Sequence, residues 1–306
     1  SVQFSKSDGT ILSGVETGKD GSLVASVSEA GTYYVKLAST TYYHDSGQYS
    51  ITLKEEAYDP NYELEHNGYN GSGTLLNSGQ KMSGQLFSSS DRDYFIISAT
   101  EPGSLKLNFD PSTDSSYTDY YKISLKDSNF NTLSSFETGQ DGEITAAVET
   151  AGDYWAIVEA TDYYHSDSVY GITASLSTQT GTVETEDNDV VAKSDDLTAG
   201  TELKGQLSSS SDIDWFQYTA TSAASLNLAF DLPTNSSYTD YFSIQILEDG
   251  DTVFSGVETG KDGSLKASIS QAGTYYIKVT STDYYHDSGQ YGLILTEGSY
   301  DSNYEQ

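Results

Sequence analysis

The sequence predicts an all-β fold of tandem β-sandwich repeats, about two and a half of them in 306 residues. Three observations predict it. First, the chain repeats itself at long period. Ser13–Leu23 recurs unchanged as Ser255–Leu265, and Tyr42–Tyr49 recurs as Tyr284–Tyr291. Weaker copies at Phe136–Gly142 and Asp162–Tyr170 place equivalent residues about 121 positions apart. Second, the 26 tyrosines, with abundant Ser, Thr and Val, favour strands, and no stretch reads as a long helix. Third, short runs alternate with period two between Gly, Asp, Asn and Ser turns.

The elements follow in chain order. Residues 1–62 read as the second half of a repeat, with Tyr33, Val35 and Leu37 forming an inner row. Residues 1–64 match 243–306 at about 40 of 64 positions, much closer than they match the middle copy. The polar linker Glu55–Asn70 then opens a complete repeat, 63–180, in which Leu105, Leu107 and Phe109 alternate inward. The linker Ser177–Asp189 opens another, 181–306. There Phe216 and Tyr218 share one face, and Leu226, Leu228 and Phe230 alternate with Ser225, Asn227 and Ala229. About eight strands per repeat suit a two-sheet sandwich. The chain starts with Ser1 within a repeat and is expected to be a segment of a longer repetitive protein. The N-terminal half lacks its early strands. Chain continuity or a neighbouring copy is therefore expected to supply them, because burying two sheet faces takes both halves.

Charge narrows the function classes. A formal net charge of −32 disfavours binding to nucleic acid or to anionic lipid. With no cysteine, disulfides and thiolate metal sites are excluded, so another staple is expected. No apolar run approaches the length of a bilayer span.

The sharpest local signal is acidic. The strings Glu63-Leu-Glu65-His-Asn67 and Glu184-Thr-Glu186-Asp-Asn188 each open a complete repeat. On extended chain, residues i, i+2 and i+4 project to one side. About 25 residues on come Asp91-Arg-Asp93 and Asp212-Ile-Asp214. Four carboxylates and an amide oxygen make an all-oxygen donor set, which suits calcium better than magnesium or zinc. Gly68 stands where the third repeat has Asp189, which predicts a weaker site in the second repeat.

The succession E-x-E-x-N, G-x-L (Gly84–Leu86, Gly205–Leu207), D-x-D-W/Y-F, A-G-T-Y-Y (Ala30–Tyr34, Ala272–Tyr276) and G-x-Y-x-L (Gly289–Leu293) resembles the bacterial pre-peptidase C-terminal domain. Collagen-binding domains of clostridial collagenases are related to it. The resemblance covers essentially the whole chain. It implies a jelly-roll-like β-sandwich that is non-catalytic and secreted. It also implies calcium held between the acidic linker and the D-x-D region, here by Glu184, Glu186, Asn188, Asp189, Asp212 and Asp214. Family members usually trail a peptidase, whereas this chain carries only tandem repeats.

His44, His165 and His286 occupy one position in three copies and read as turn residues, not catalysts. No G-x-S-x-G elbow or H-E-x-x-H motif is present. Tyr120 and Tyr241, in clustered tyrosines, are candidate ligand contacts. Asn70 and Asn235 head glycosylation sequons. These readings predict a calcium-stabilised, non-enzymatic segment of a secreted cell-surface or filament protein, an adhesin or structural element. The alternative is a substrate-binding tail of a secreted peptidase. Expected partners are adjacent repeats or neighbouring copies, with extracellular matrix protein or polysaccharide as further ligands.

Overall fold

A computed structural model describes the chain except for Asn70 and residues 113–114, 116–117, 179–181 and 302–306. The fold is all-β and built of tandem β-sandwiches. Among the described residues the helical content is a single 3₁₀ turn, Val191–Lys193.

The N-terminal part forms β1 (Val2–Lys6), β2 (Ile11–Val15) and β3 (Tyr33–Leu37). The middle part forms β4 (Thr74–Leu75), β5 (Lys81–Gly84), β6 (Arg92–Ala99), β7 (Gly103–Pro111), β8 (Tyr121–Lys126), β9 (Thr132–Thr138), β10 (Gly142–Val148), β11 (Gly152–Ala160) and β12 (Tyr170–Ser177). The C-terminal part repeats this as β13 (Asp195–Asp196), β14 (Glu202–Gly205), β15 (Ile213–Ala220), β16 (Ala224–Asp231), β17 (Phe242–Glu248), β18 (Thr252–Thr259), β19 (Gly263–Ile269), β20 (Gly273–Ser281) and β21 (Tyr291–Ser299).

Each complete repeat packs a five-stranded sheet on a four-stranded one. The orders are β4-β6-β11-β8-β9 with β10-β7-β12-β5, and β13-β15-β20-β17-β18 with β14-β21-β16-β19. Alternation decides the inner faces. In β16, Ala224, Leu226, Leu228 and Phe230 are buried while the residues between them are half-exposed. The two cores are separate clusters, one drawn from residues 76–176 and the other from 197–295.

The N-terminal part is a single sheet, β2-β1-β3. Its strands are the counterparts of β9, β8 and β11, which pair with one another and so form unaided. The counterparts of β10 and β12 are residues 21–27 and 49–56, and they form no strand. In the complete repeat both of those strands pair with β7, which lies between them. Without that partner, Tyr49, Ile51 and Leu53 stand exposed. Each large apolar side chain left in water forgoes about 1.5–3 kcal/mol of burial.

The repeats touch through a recurring contact. Ser13 Oγ donates to Gln85 Oε1 at 2.6 Å, and Ser134 Oγ donates to Gln206 Oε1 at 2.5 Å. Gln206 Nε2 also donates to the carbonyls of Ser135 and Ser288. At the second junction, Gln290 exchanges two hydrogen bonds with the backbone of Thr145 on the free edge of β10, at 3.0 and 2.7 Å.

Candidate metal centre

Each acidic string runs beside the first strand of the four-stranded sheet. The Glu63 N–H donates to the Ser83 carbonyl and the Glu184 N–H to the Lys204 carbonyl, both at 2.9 Å. This anchoring turns alternate side chains toward the start of β6 or β15. In the second repeat Glu63, Glu65 and Asp93 bring carboxylate oxygens within 4.8 Å of one another, and in the third Glu184, Glu186 and Asp214 do the same. Oxygens on opposite sides of one calcium ion lie about 5 Å apart, so each triad fits a single ion. Asn67 and Asn188 are fully buried beside them. The peptide bonds Glu65–His66 and Glu186–Asp187 are both cis.

The hydrogen bonding around the triads is one-sided. Glu63 Oε1 accepts from the Gln85 N–H at 2.5 Å, and Glu63 Oε2 accepts from Asn67 Nδ2 at 3.0 Å. Asp93 Oδ2 accepts from the Tyr170 hydroxyl at 2.5 Å. Glu65 Oε1, Asn67 Oδ1 and Asp93 Oδ1 remain buried without a partner. The third repeat leaves the matching atoms, Glu186 Oε1, Asn188 Oδ1 and Asp214 Oδ1, in the same condition. Tyr291 donates to Asp214 Oδ2, and the Gln206 N–H donates to Glu184 Oε1 at 2.5 Å. Buried acceptors without donors cost free energy, and a cation supplies what they lack.

Protonation tells the same story. Burial pushes Glu63 up to about 8 and Glu65 to about 9, with Glu63's own charge adding to the effect on Glu65. Burial raises Asp93 well above the carboxylate range, reinforced by Glu63. Burial likewise lifts Glu184, helped by Asp214, and takes Glu186 to about 8, helped by Asp212. Asp214 is raised by burial as well. Among the described residues, no cation is ion-paired to either triad.

The other predicted ligands sit differently. Asp91 accepts from the N–H groups of Phe87 and Arg92 at 2.8 and 2.9 Å, and Asp212 accepts from Ser208 and Ile213 at 2.5 and 2.9 Å. Both carboxylates therefore brace the turn that enters β6 or β15 and lie outside the triads. Burial still raises Asp91 to about 6. Asp189 is exposed, with Oδ1 accepting from the Ile213 N–H at 3.2 Å.

Sequence reasoning did not assign roles to several neighbours. Tyr170 and Tyr291 close the triads from β12 and β21, although both lie in the G-x-Y-x-L pattern or its copy. Gly84 and Gly205 leave room for them. A Cβ at Gly205 would stand 2.4 Å from Tyr291 Cζ and 2.7 Å from Glu184 Oε2, and one at Gly84 would stand 2.4 Å from Tyr170 Cζ. Asp195 accepts from the Thr185 N–H at 2.8 Å and from Asn188 Nδ2 at 3.2 Å, orienting that amide. Its counterpart in the second repeat is Thr74, and there Glu63 holds the amide instead.

The histidines serve the turns. His165 Nε2 donates to the Leu86 carbonyl and His286 Nε2 to the Leu207 carbonyl, both at 3.0 Å. His44 is exposed. Tyr120 and Tyr241 are half-buried against the two cores, edge-on to Tyr164 and Tyr285 at 6.3 and 6.1 Å. Asn235 is exposed, with Nδ2 donating to Asp262 Oδ2 at 2.7 Å, whereas Asn70 lies outside the described residues.

No family model and no curated protein matches the sequence. Solved structures similar to it include the pre-peptidase C-terminal domain of a collagenase from Bacillus anthracis, at 14% identity and TM-score 0.27, covering 33% of this chain and 91% of that one. Tandem CBM51 modules of a family 98 glycoside hydrolase from Streptococcus pneumoniae match at 12% identity and TM-score 0.24, covering 74% and 83%. A CBM22 tandem from Paenibacillus barcinonensis Xyn10C matches at 10% identity and TM-score 0.22, covering 72% and 88%. Likenesses of this size assign no residue a role.

Proposed function

We propose that the chain is a non-catalytic, calcium-stabilised repeat segment of a secreted cell-surface or extracellular filament protein, acting as an adhesin or structural element. One observation carries the reading: both complete repeats bury the same three oxygens without partners, at Glu65, Asn67 and Asp93 and at Glu186, Asn188 and Asp214. Glu63 and Glu184 complete an all-oxygen, carboxylate-rich set, which favours calcium over zinc or a largely hydrated magnesium. Extracellular modules bind calcium with dissociation constants of about 10⁻⁴–10⁻³ M, so a secreted segment would be loaded and a cytosolic one would not. An ion at this point ties the linker to the sandwich that follows it.

Calorimetric titration of the chelated chain tests the reading. Two calcium ions per chain are expected, with a rise in melting temperature. No binding heat, together with superimposable melting curves in chelator and calcium, would reject it. A second reading, binding of collagen or polysaccharide, is favoured by Tyr163 and Tyr284, each 88% exposed, and Tyr238, 99% exposed. Retention on immobilised collagen or polysaccharide, lost in Tyr238→Ala or Tyr284→Ala, would support that reading.

A further inference from the structure

The largest unexplained feature outside the metal centres is the apolar face of residues 21–53. Tyr49, Ile51 and Leu53 are 72%, 51% and 72% exposed, and Val27 and Val35 are exposed with them. Their counterparts in the third repeat are Tyr291, Leu293, Leu295, Ile269 and Ile277. All five are fully buried there. One strand, β16, completes the sheet to which β19 and β21 belong. It lies between β19 and β21 and pairs antiparallel with both. Leu228 sits opposite Leu265 on one side and Leu295 on the other, and Phe230 sits opposite Leu293.

We infer that residues 1–56 are the acceptor half of a strand-complemented sandwich. Their occupant is the first half of another copy of this repeat, with its β16-type strand inserted between residues 21–27 and 49–56. Chain chemistry favours this occupant over lipid or an unrelated apolar surface. Residues 21–27 and 49–56 carry period-two apolar side chains on backbone that forms no strand. An inserted strand pairs that backbone as well as covering the side chains, and lipid does only the second. Similarity sets the register. Because residues 1–64 match 243–306 so closely, the guest that fits 243–306 also fits them. In that register Leu226, Leu228 and Phe230 of the guest face Ala25, Leu23 and Ile51. The inference does not depend on the metal reading.

The test adds a polypeptide of residues 182–241 to the full chain and follows hydrogen exchange. One guest per chain is expected, with new protection confined to residues 21–27 and 49–56 and to the free edge of β3, whose counterpart β20 pairs with β15, and a gain of strand signal. The double variant Ile51→Asp, Leu53→Asp should bind at least about tenfold more weakly. Both side chains are exposed, so the variant keeps the two complete repeats folded, which their unchanged melting would verify. Absence of new protection at about 100 μM guest overturns the inference, as does equal binding by the double variant or protection gained elsewhere.

Discussion

Gln206 joins Glu184 to the preceding repeat: its backbone N–H donates to Glu184 Oε1 at 2.5 Å, while its side chain takes a hydrogen bond from Ser134 Oγ at 2.5 Å. One residue thus touches the acidic triad and the junction together, and Gln85 does so in the second repeat with Glu63 and Ser13. Gln206→Ala should loosen the junction while leaving the Glu184 contact, which uses backbone. Each lost hydrogen bond weakens the junction by about 1 kcal/mol. NMR relaxation should then show the third repeat tumbling more independently, with its own melting temperature nearly unchanged. Unaltered tumbling would show that the remaining contacts, Gln290 with Thr145 and Lys204 with Glu143, hold the junction.

Asp214→Asn should have opposite effects in calcium and in chelator. The amide can still accept from Tyr291, but one buried negative charge is gone. Calcium affinity of the third-repeat site should fall at least about tenfold, or about 1.4 kcal/mol. In chelator at alkaline pH, once the triad carboxylates ionise, the variant should melt higher than the parent, because a buried like charge has been removed. Calorimetry in both buffers checks this. A variant destabilised equally in both would point to packing instead.

The chelated chain should lose stability as pH rises. Burial holds Glu63 near 8, Glu65 near 9 and Glu186 near 8. An unfolded Glu titrates near about 4.3. Between these values the folded chain binds more protons than the unfolded one, so stability declines from about pH 4.3 and reaches its floor above about pH 9. Melting in chelator should be higher at about pH 5 than at about pH 8.5. Calcium binding requires deprotonated ligands, so affinity rises over the same range and flattens the decline. Glu65→Gln combined with Glu186→Gln should reduce the slope in chelator, separating the triads from the general repulsion of an acidic surface.

What was legible in the sequence was local or repeated. Leu226, Leu228 and Phe230 announced their inner face by alternation, and Glu184, Glu186 and Asn188 were recognisable by spacing alone. What was hidden depended on distant partners. Tyr291 reaches Glu184 across 107 residues, and Ser134 meets Gln206 across 72. Tyr49, Ile51 and Leu53 alternate as a strand should, yet form none, because a strand exists only against a neighbour. Asp195 belonged to no recurring motif, since its counterpart in the second repeat is Thr74.

Gly205→Ala tests whether the narrow approach of β14 to β21 shapes the triad. The added Cβ would meet Tyr291 Cζ at 2.4 Å and Glu184 Oε2 at 2.7 Å, contacts that no rotamer of the alanine can relieve. Tyr291 is fully buried, so its ring has no solvent side to move into. Either the ring shifts and drops its hydrogen bond to Asp214, or the acidic string is pushed from the strand. Overpacking of this kind costs about 1–3 kcal/mol. The third repeat should melt lower in chelator and lose most of its calcium response, while the second repeat, with its own separate core and Gly84 intact, should keep both. Site-resolved hydrogen exchange with and without calcium distinguishes the two repeats. If calcium still protects residues 184–188 in the variant as it does in the parent, the glycine matters to packing alone and the triad does not require Tyr291 in place.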